Sequence, residues 1–295
     1  MAEVKALACQ LPKEQGLPLS RFSRQDLRRL VIERGIVESI SGTTIWRWLD
    51  EDAIRPWRYR SWIFPRDPRF AEKAGVVLDL YQRIFQGEPL GPDEYVLCAD
   101  EKTSIQARAR IHPTVAAGAG RPTLVEHEYE RRGALAYLAA LDVHEPRVIG
   151  RCEQQSGITP FDRLVGHVMR EQPYASARRV FLIVDNGSSH RGRNSVERLQ
   201  RRWPNVRLIH LPVHASWLNQ IEIYFSILQR KLLQPNDFPD LASLERAILD
   251  FERYYIEIAE PFQWRFTRAQ LNRLLARIAA EQTMPAHPAP CQLAA

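Results

Sequence analysis

The sequence RVFLIVDNGSSHRG, at residues 179–192, predicts the central strand of an α/β fold. Five apolar residues at 180–184, rich in β-branched side chains, run directly into Asp185 and an Asn-Gly pair. An uninterrupted apolar run of this length is typical of a strand buried on both faces of a sheet. Because open α/β sheets bind their ligands at the carboxyl ends of strands, Asp185 is a candidate functional residue.

Around this strand, residues 91–235 combine strand and helix patterns. Three strands come first, as an antiparallel meander with a turn near Pro146, and helices and strands then alternate. The expected fold is an α/β domain with one mixed sheet, in which the strand ending at Asp100 lies beside the strand ending at Asp185. We predict strands at 94–103, 133–145, 147–155, 180–184 and 205–212, and helices at 159–172, 195–203 and 217–233.

Three carboxylates are the candidate catalytic residues of this domain: Asp100, Asp185 and Glu222, the last in the first turn of the final predicted helix. Carboxylates close together raise one another's pKa unless a cation neutralises them. Hard oxygen ligands suit Mg²⁺ or Mn²⁺ rather than zinc. Two such ions can activate a water or a 3′-hydroxyl and stabilise the leaving oxygen of a phosphodiester. The three residues are therefore also the candidate metal ligands.

Each of these residues has an alternative interpretation. Asp185 with the following Asn-Gly could form a simple turn. Asn219-x-x-Glu222 matches a capping box, in which the glutamate bonds the N-cap amide. Glu101 competes with Asp100, although strand alternation places the two on opposite faces, so that only one of them can be a ligand.

The first 55 residues predict a small all-α domain. A helix is expected over 25–34, followed by a turn at Gly35, a short helix near Val37, and a last helix that is capped by 41–43 and runs through Leu49. Short helices joined by a tight turn are typical of a helix-turn-helix DNA reader. A helical hairpin without a ligand is the alternative.

In the helix-turn-helix interpretation, the last helix presents one face to DNA and packs the other inward. The predicted DNA-facing residues are Thr43, Thr44 and Arg47, and the predicted inward residues are Ile45, Trp46 and Leu49.

Basic residues exceed acidic ones, 41 against 35, for a net charge of +6. Solvated faces would explain any one arginine cluster, but several clusters beside predicted folded units favour a polyanion such as DNA. Within a Pro-, Trp- and Arg-rich connector that can follow a phosphate backbone, the candidates are Arg55, Arg58 and Arg60. Within a long polar loop predicted between Ile105 and Gly133, they are Arg108 and Arg110.

The rest of the chain is assigned more simply. We predict a basic linker and helix over 56–90, a C-terminal helical segment over 236–283 and a disordered tail over 284–295. The four cysteines are widely spaced, so neither a structural zinc site nor a disulfide framework is expected. No apolar run reaches about 18 residues, so we expect no membrane partner and a cytoplasmic, nucleoid-associated location.

Three motifs resemble the IS630-type transposases, bacterial relatives of the Tc1/mariner group. They are CADEKT at 98–103, VDNGSSHRG at 184–192 and LPVHASWLNQIEIYFSILQRK at 211–231. The resemblance runs through essentially the whole chain, including SISGTTIWRWL at 39–49 and RPWRYRSW at 55–62.

The resemblance implies an RNase H-like catalytic domain at 91–235 whose Asp-Asp-Glu triad maps onto Asp100, Asp185 and Glu222. It implies cleavage of transposon ends and joining into a TA dinucleotide, dependent on Mg²⁺ or Mn²⁺ and most simply on two ions. The expected partners are double-stranded DNA, as terminal inverted repeats and target, and a second copy of the chain in a homodimer on DNA. His190 and Asn219 match positions in the flanking motifs and are expected to support the triad.

The sequence departs from the family pattern at its amino end. Family members usually carry two helix-turn-helix units, and only the second is recognisable here, with residues 1–16 resembling the tail of a first unit. Two alternatives to a transposase therefore stay open. One is a truncated DNA-binding remnant that does not mobilise its element, and the other is an RNase H-like nuclease without strand transfer.

Overall fold

The computed structural model describes residues 1–59, 65–187 and 193–283. The chain divides into two compact units, Met1–Phe64 and Pro65–Ala295. Among the described residues, no helix is both long and apolar enough to span a lipid bilayer.

The elements described in the first unit are helical. They are α1 (Ala2–Ala8), a 3₁₀ turn (Pro12–Gln15), α2 (Arg24–Glu33) and α3 (Gly42–Glu51). Ser23 begins α2 with a capping box, because its hydroxyl accepts from the Asp26 amide while the Asp26 carboxylate accepts from the Ser23 amide. Ser41 is the N-cap of α3, and its Oγ accepts from the Thr44 amide at 3.0 Å. The two principal predicted helices are confirmed within a residue or two at each end.

Two details of the first unit differ from the prediction. There is no helix near Val37, because Gly35 adopts a left-handed conformation that ends α2 and the short connection to the extended Ser41 packs irregularly. Trp46 is 41% exposed rather than inward, and Trp48 packs against the core instead. Positions three and four residues after Ile45 share its helix face, and position 46 does not.

Helix α1 belongs to the same core as α2 and α3. Val4 and Leu7 are buried with the apolar residues of those helices, among them Leu27, Ile45 and Leu49. Residues 2–8 thus form part of this unit's own core.

The second unit begins with α4 (Phe70–Tyr81) and a small hairpin, β1 (Ile84–Phe85) and β2 (Glu88–Pro89). Its main sheet has five strands in the order β5-β4-β3-β6-β7, antiparallel across β5-β4-β3 and parallel across β3-β6-β7. The meander and the adjacent positions of the two acidic strands are as predicted. The strands are β3 (Glu94–Ala109), β4 (Glu130–Asp142), β5 (Val148–Glu153), β6 (Arg179–Val184) and β7 (Val206–His210).

Helices cover both faces of the sheet. One face packs against α5 and α6, and the other packs against α4, α7, α8 and α9. Successive residues of β3 alternate between these two cores, so that Val96 and Cys98 face α7 while Leu97 and Ala99 face α5. The helices are α5 (Ile158–Val168), α6 (Arg193–Arg202), α7 (Ile221–Lys231), α8 (Leu241–Ile258) and α9 (Arg268–Thr283).

Strand β3 does not end at Asp100, as the sequence suggested, but continues to Ala109. After its pairing with β6 ends, β3 stays paired with β4 as far as Ala109, which lies opposite Glu130. The register of this pairing is irregular near Lys102 and Arg108. This half resembles a loop because most of its residues are polar or charged, although Ile105 and Ala107 are buried. The long loop predicted between Ile105 and Gly133 is correspondingly shorter, at residues 110–129.

Candidate active site

The pairing of β3 with β6 brings the two aspartates together. The last parallel pair is Cys98 opposite Ile183, and Asp100 and Asp185 each follow two residues later on their own strand. Cys98 and Ile183 both belong to the core that faces α7. Because side chains alternate along a strand, both aspartates lie on the α7 side of the sheet, and Glu101 lies on the other.

Helix α7 and the turn before it supply the second part of the site. Asn219 is 1% exposed, and its Nδ2 lies 3.2 Å from both the Asp100 Oδ2 and the Ala99 carbonyl oxygen. The Glu101 amide donates to the Asp100 Oδ1 at 2.8 Å. Asp100 is therefore held from both sides, and Asn219, predicted as a supporting residue, lies in direct contact with it.

The capping-box interpretation of Glu222 is wrong. The N-cap of α7 is Gln220, no side chain caps the helix, and the Asn219 side chain bonds β3 instead. The Glu222 carboxylate is thus not committed to a helix cap, and it lies in the first turn of α7 on the face of the sheet that holds Asp100 and Asp185.

Electrostatic repulsion and desolvation both act on Asp100. Its side chain is 9% exposed, and burial first, then the nearby charges of Asp185, Glu101 and Glu222, raise its pKa to about 7 despite the hydrogen bond from the Glu101 amide. A buried carboxylate surrounded by other carboxylates is the arrangement that a cation relieves.

Glu222 lies at the exposed edge of the same cluster. Partial desolvation raises the pKa of its carboxyl, Lys102 opposes that change, and Asp185 adds to it. Glu222 and Asp185 are therefore electrostatic neighbours, and Lys102 is the nearby cation.

The turn after β6 also forms as the alternative interpretation of Asp185 proposed. The Gly187 amide donates to the Asp185 Oδ1 at 2.7 Å, and the Asn186 Nδ2 donates to the Leu211 carbonyl at 2.7 Å. These bonds tie the end of β6 to the segment after β7. A turn and a place in the acidic cluster are compatible, because the turn fixes the carboxylate at the sheet edge.

A partly buried ion pair supports the segment that follows β7. The Asp67 carboxylate lies 2.7 Å from the Lys73 Nζ and accepts from the Val213 amide at 3.1 Å. The Lys73 hydrogen bond lowers the pKa of Asp67 to about 2. Sequence patterns did not identify Asp67, because its partners lie on α4 and after β7.

The acidic cluster has the donor chemistry of a divalent-metal site. Its oxygen ligands are those that Mg²⁺ and Mn²⁺ prefer, and the mutual repulsion that raises the pKa of Asp100 is relieved by a cation. Within the described part of the chain, no three His, Cys, Asp or Glu side chains are grouped closely enough to hold a metal ion outright. Asp100, Asp185 and Glu222 are instead electrostatic neighbours, and their charge and oxygen ligands suit Mg²⁺ or Mn²⁺.

The remaining predicted site residues are distributed over both units. In the first unit, Thr43 and Arg47 are exposed on α3, and the Thr44 hydroxyl lies 2.9 Å from the Ser41 Oγ. Arg55 pairs with Asp50 at 3.4 Å. Arg58 is exposed.

In the second unit, Arg108 is at the end of β3 and Arg110 directly follows it, so neither lies in the middle of a loop. His190 and Arg60 lie outside the described residues, as does the predicted tail at 284–295.

The site defines a class of protein: an enzyme with an acidic centre at the middle of a five-stranded mixed sheet of RNase H-like topology. The chain belongs to the DDE superfamily endonucleases, whose family model matches residues 95–245. That match begins in β3, includes all three candidate carboxylates and ends in α8. A search of curated proteins gave no significant match.

Solved structures of the Mos1 mariner transposase share the fold. The Mos1 mariner paired end complex with Mn aligns over 97% of this chain and 80% of that chain, with a TM-score of 0.56 and 15% identity. The Mos1 strand transfer complex aligns over 97% and 78%, with a TM-score of 0.55 and 12% identity. The Mos1 paired end complex with Mg aligns over 95% of this chain and 78% of that chain, with a TM-score of 0.53 and 16% identity. The fold is thus that of a DDE transposase.

Proposed function

We propose that this protein is a transposase of the IS630 type, which cleaves transposon ends and joins them to target DNA at a TA dinucleotide. The observation that carries the proposal is the acidic cluster. Two aspartates meet where the parallel pairing of β3 with β6 ends, and Asn219, just before α7, holds one of them. Membership of the DDE superfamily endonucleases supports the same chemistry.

In this proposal, Asp100, Asp185 and Glu222 hold Mg²⁺ or Mn²⁺, most simply as two ions. When bound, the ions supply Lewis-acid stabilisation of the phosphodiester and lower the pKa of an attacking water. Asn219 keeps the Asp100 carboxylate turned toward α7. Lys102 contributes positive charge beside Glu222, where the phosphate approaches.

The two reactions share this centre. In cleavage, a water oxygen bonds to phosphorus and the bond from phosphorus to the 3′-oxygen breaks, which leaves a 3′-hydroxyl and a 5′-phosphate. In joining, that 3′-hydroxyl attacks a target phosphodiester and displaces the target's own 3′-oxygen. Each joining step makes one phosphodiester and breaks one, so no external energy source is required.

We assign DNA recognition to the first unit as a helix-turn-helix, with α3 as the recognition helix. Thr43, Trp46 and Arg47 share the exposed face of α3, opposite the buried Ile45 and Leu49. Exposed polar and basic groups near the N-terminus of such a helix are placed to reach base edges in a major groove. The DNA partner is the terminal inverted repeat, and a homodimer would hold two transposon ends together. The proposed location is the cytoplasm, in association with the nucleoid.

The test of the catalytic assignment uses purified protein and a labelled duplex ending in the inverted repeat that flanks the gene. With Mg²⁺ or Mn²⁺, we expect the parent to cut the duplex and to join the cut end to a plasmid. Glu222→Gln should bind the duplex, cut almost none of it and lose the rise in melting temperature that Mn²⁺ gives the parent. Glu257→Gln, which changes the same charge on an exposed part of α8, is the matched control and should behave as the parent.

The outcomes separate the remaining possibilities. Cutting without joining would indicate a nuclease rather than a transposase. Binding without cutting by the parent would indicate a DNA-binding remnant. Normal cutting by Glu222→Gln would remove the glutamate from the site.

The DNA-reading assignment has its own test. Arg47→Ala should weaken binding to the inverted repeat by roughly 1–3 kcal/mol and change binding to random duplex little, as expected for contact with a base edge. Arg58→Ala should weaken binding to both duplexes and reduce its salt dependence, as expected for a phosphate contact. Equal losses on both duplexes for Arg47→Ala would make it a phosphate contact instead.

A further inference from the structure

A cleft of about 410 Å³ runs along the part of β3 beyond Asp100. Its walls come from the strand itself and from the segment after α7, and they include Lys102, Gln106, Arg108, Arg110 and Asn236. This volume is within the range of clefts that hold small ligands, and its lining is polar and basic.

The two arginines of this cleft form no ion pair with a carboxylate of the described residues. Lys102 differs from them, because it lies close enough to Glu222 to lower the pKa of that carboxyl. Arginines elsewhere in the second unit do meet carboxylates, such as Arg198 with Asp162 at 2.8 Å. Uncompensated positive charge is therefore concentrated in the cleft.

Hydrogen-bond donors in the cleft are also left over. The Arg108 Nε and the Arg110 Nη1 are both buried and have no hydrogen-bond partner among the described residues. Buried N–H groups are normally paired in folded proteins, so these two donors leave an unmet hydrogen-bonding capacity in the wall of the cleft.

The two guanidinium groups are nevertheless held in place. Both stack on the ring of Tyr129, with the Arg108 Cζ 4.5 Å and the Arg110 Cζ 5.8 Å from its centroid. The Asn236 carbonyl accepts from the Arg110 Nε at 3.3 Å, and the Asn236 side chain bonds the backbone of Arg108 and Gln106. The Asp237 carboxylate is bonded to the Arg110 backbone amide, at 3.3 Å. Stacking of this kind fixes a guanidinium while leaving its edge available.

The cleft leads away from the acidic cluster. Lys102 lines it and follows Asp100 by two residues, on the same strand and close enough to Glu222 to lower that carboxyl's pKa. Arg108 and Arg110 lie farther along. A polyanionic chain with one phosphate at the carboxylates could therefore place another phosphate, a few nucleotides along the strand, in this cleft.

We propose that the cleft is a phosphodiester-binding subsite that holds a backbone phosphate of the DNA strand being cut, a few nucleotides from the scissile bond. The proposal rests on the proposed function, since it assigns a second anchor to the same DNA strand. Arg108 and Arg110 supply the charge and the free donors, and Tyr129 and Asn236 position them. Guanidinium groups suit phosphate because they donate two parallel hydrogen bonds to it.

The test scans the inverted-repeat duplex with single methylphosphonates, which remove the charge of one phosphate at a time. The Glu222→Gln background keeps the DNA intact during binding. We expect one or two positions near the cleavage site at which the neutral linkage weakens binding about tenfold, the scale of one charge-assisted hydrogen bond. In the double variant Glu222→Gln with Arg108→Gln, methylphosphonates at these positions should cause no further loss of binding. The slope of log K against log salt should be smaller in magnitude by about 0.9.

Arg170→Gln is the matched control, because it removes the same charge at a distant site. Arg170 is an exposed residue just after α5, and it lies toward the end of the sheet where β6 begins, whereas Asp185 follows the other end of β6. It should leave the methylphosphonate profile and the salt slope unchanged. Melting temperatures of all variants establish that each one folds, and Arg110→Gln provides a second variant should Arg108→Gln unfold.

Two results would overturn the subsite. The first is a methylphosphonate profile that neither arginine variant alters. If the parent protein still cuts DNA with Mg²⁺ in that case, the subsite is wrong and the proposed function stands. If the parent neither binds nor cuts the duplex, both fail. The second is a rise in melting temperature with inorganic phosphate alone that Arg108→Gln abolishes, while Arg108→Gln leaves the methylphosphonate profile unchanged. That combination would indicate a site for free phosphate.

Discussion

Two buried aspartates of the same sheet, Asp100 on β3 and Asp142 at the end of β4, have opposite surroundings. Asp142 is 3% exposed and accepts hydrogen bonds from the Tyr174 hydroxyl at 2.8 Å and the His144 amide at 2.9 Å. Asp100 accepts from the Asn219 side chain and the Glu101 amide, but its other neighbours are carboxylates. Burial raises the pKa of both groups, and for Asp100 the nearby negative charges raise it further.

The difference separates a structural carboxylate from a functional one. Donors from its own turn and from Tyr174 offset part of the desolvation of the Asp142 carboxylate, and they belong to the fold itself. The Asp100 charge is opposed by Asp185 and Glu222, so the fold alone leaves it unfavourable. Like charges brought together at a sheet edge have a stability cost, which a bound cation offsets.

The largest expected effect distinguishes the two aspartates by activity. Asp100→Asn should reduce DNA cleavage by at least about 10³-fold, because losing a metal-binding charge removes several kcal/mol of transition-state stabilisation. Asp142→Asn, the matched change at the structural site, should leave the cleavage rate per folded molecule unaltered. Rates are measured on the inverted-repeat duplex with Mg²⁺ at saturating protein. Comparable losses in both variants would mean that burial, and not the acidic cluster, defines what these aspartates do.

The second expected effect distinguishes them by stability against pH. A folded-state pKa of about 7 for Asp100, above the ordinary aspartate pKa of 3.8, means that the folded protein binds more protons than the unfolded chain between these pH values. Stability without divalent ions should therefore fall as pH rises through this window, by up to about 1.4 kcal/mol per pH unit for one proton. Asp100→Asn should flatten that fall.

Urea titrations of the parent and Asp100→Asn between pH 4 and pH 8, with a chelator present, measure this linkage. Adding Mg²⁺ at the upper pH should restore much of the parent's stability and little of the variant's. Parallel curves for the two proteins would show that Asp100 does not carry the charge penalty.

The sequence predicted the acidic cluster because its determinants are local. The apolar run before Asp185, the alternation around Asp100 and the meander that sets the strand order are all visible in short windows. The parallel pairing of β3 with β6 then brings Asp100 and Asp185 together, although β3 itself continues past Asp100, and Glu222 follows from the amphipathic pattern of α7.

What the sequence could not show depends on distant partners. The second half of β3 resembled a loop, because β4 and Asn236, 128 residues from Arg108, hold it in the strand. The capping-box pattern at Asn219 failed because its side chain bonds Asp100 and Ala99, some 120 residues earlier. The inward assignment of Trp46 failed for another reason, because helix spacing from Ile45 puts Trp48, and not Trp46, on the buried face of α3.

The smallest expected effect tests the structural side of the comparison. Tyr174→Phe removes the hydroxyl that donates to the Asp142 Oδ2 and keeps the ring, which lies against Tyr95 with centroids 5.4 Å apart and under the Arg147 guanidinium at 5.5 Å. Tyr174 is fully buried, so the carboxylate oxygen loses a donor that water does not readily replace. We expect a loss of about 1–3 kcal/mol in the free energy of unfolding, seen as a lower urea midpoint with an unchanged m-value. Cleavage by the folded variant should equal that of the parent, because no step of the proposed chemistry passes through Asp142. A variant that keeps its urea midpoint would show that the backbone amides of the β4 turn satisfy Asp142 without help, and one that loses cleavage would tie this end of the sheet to the active site.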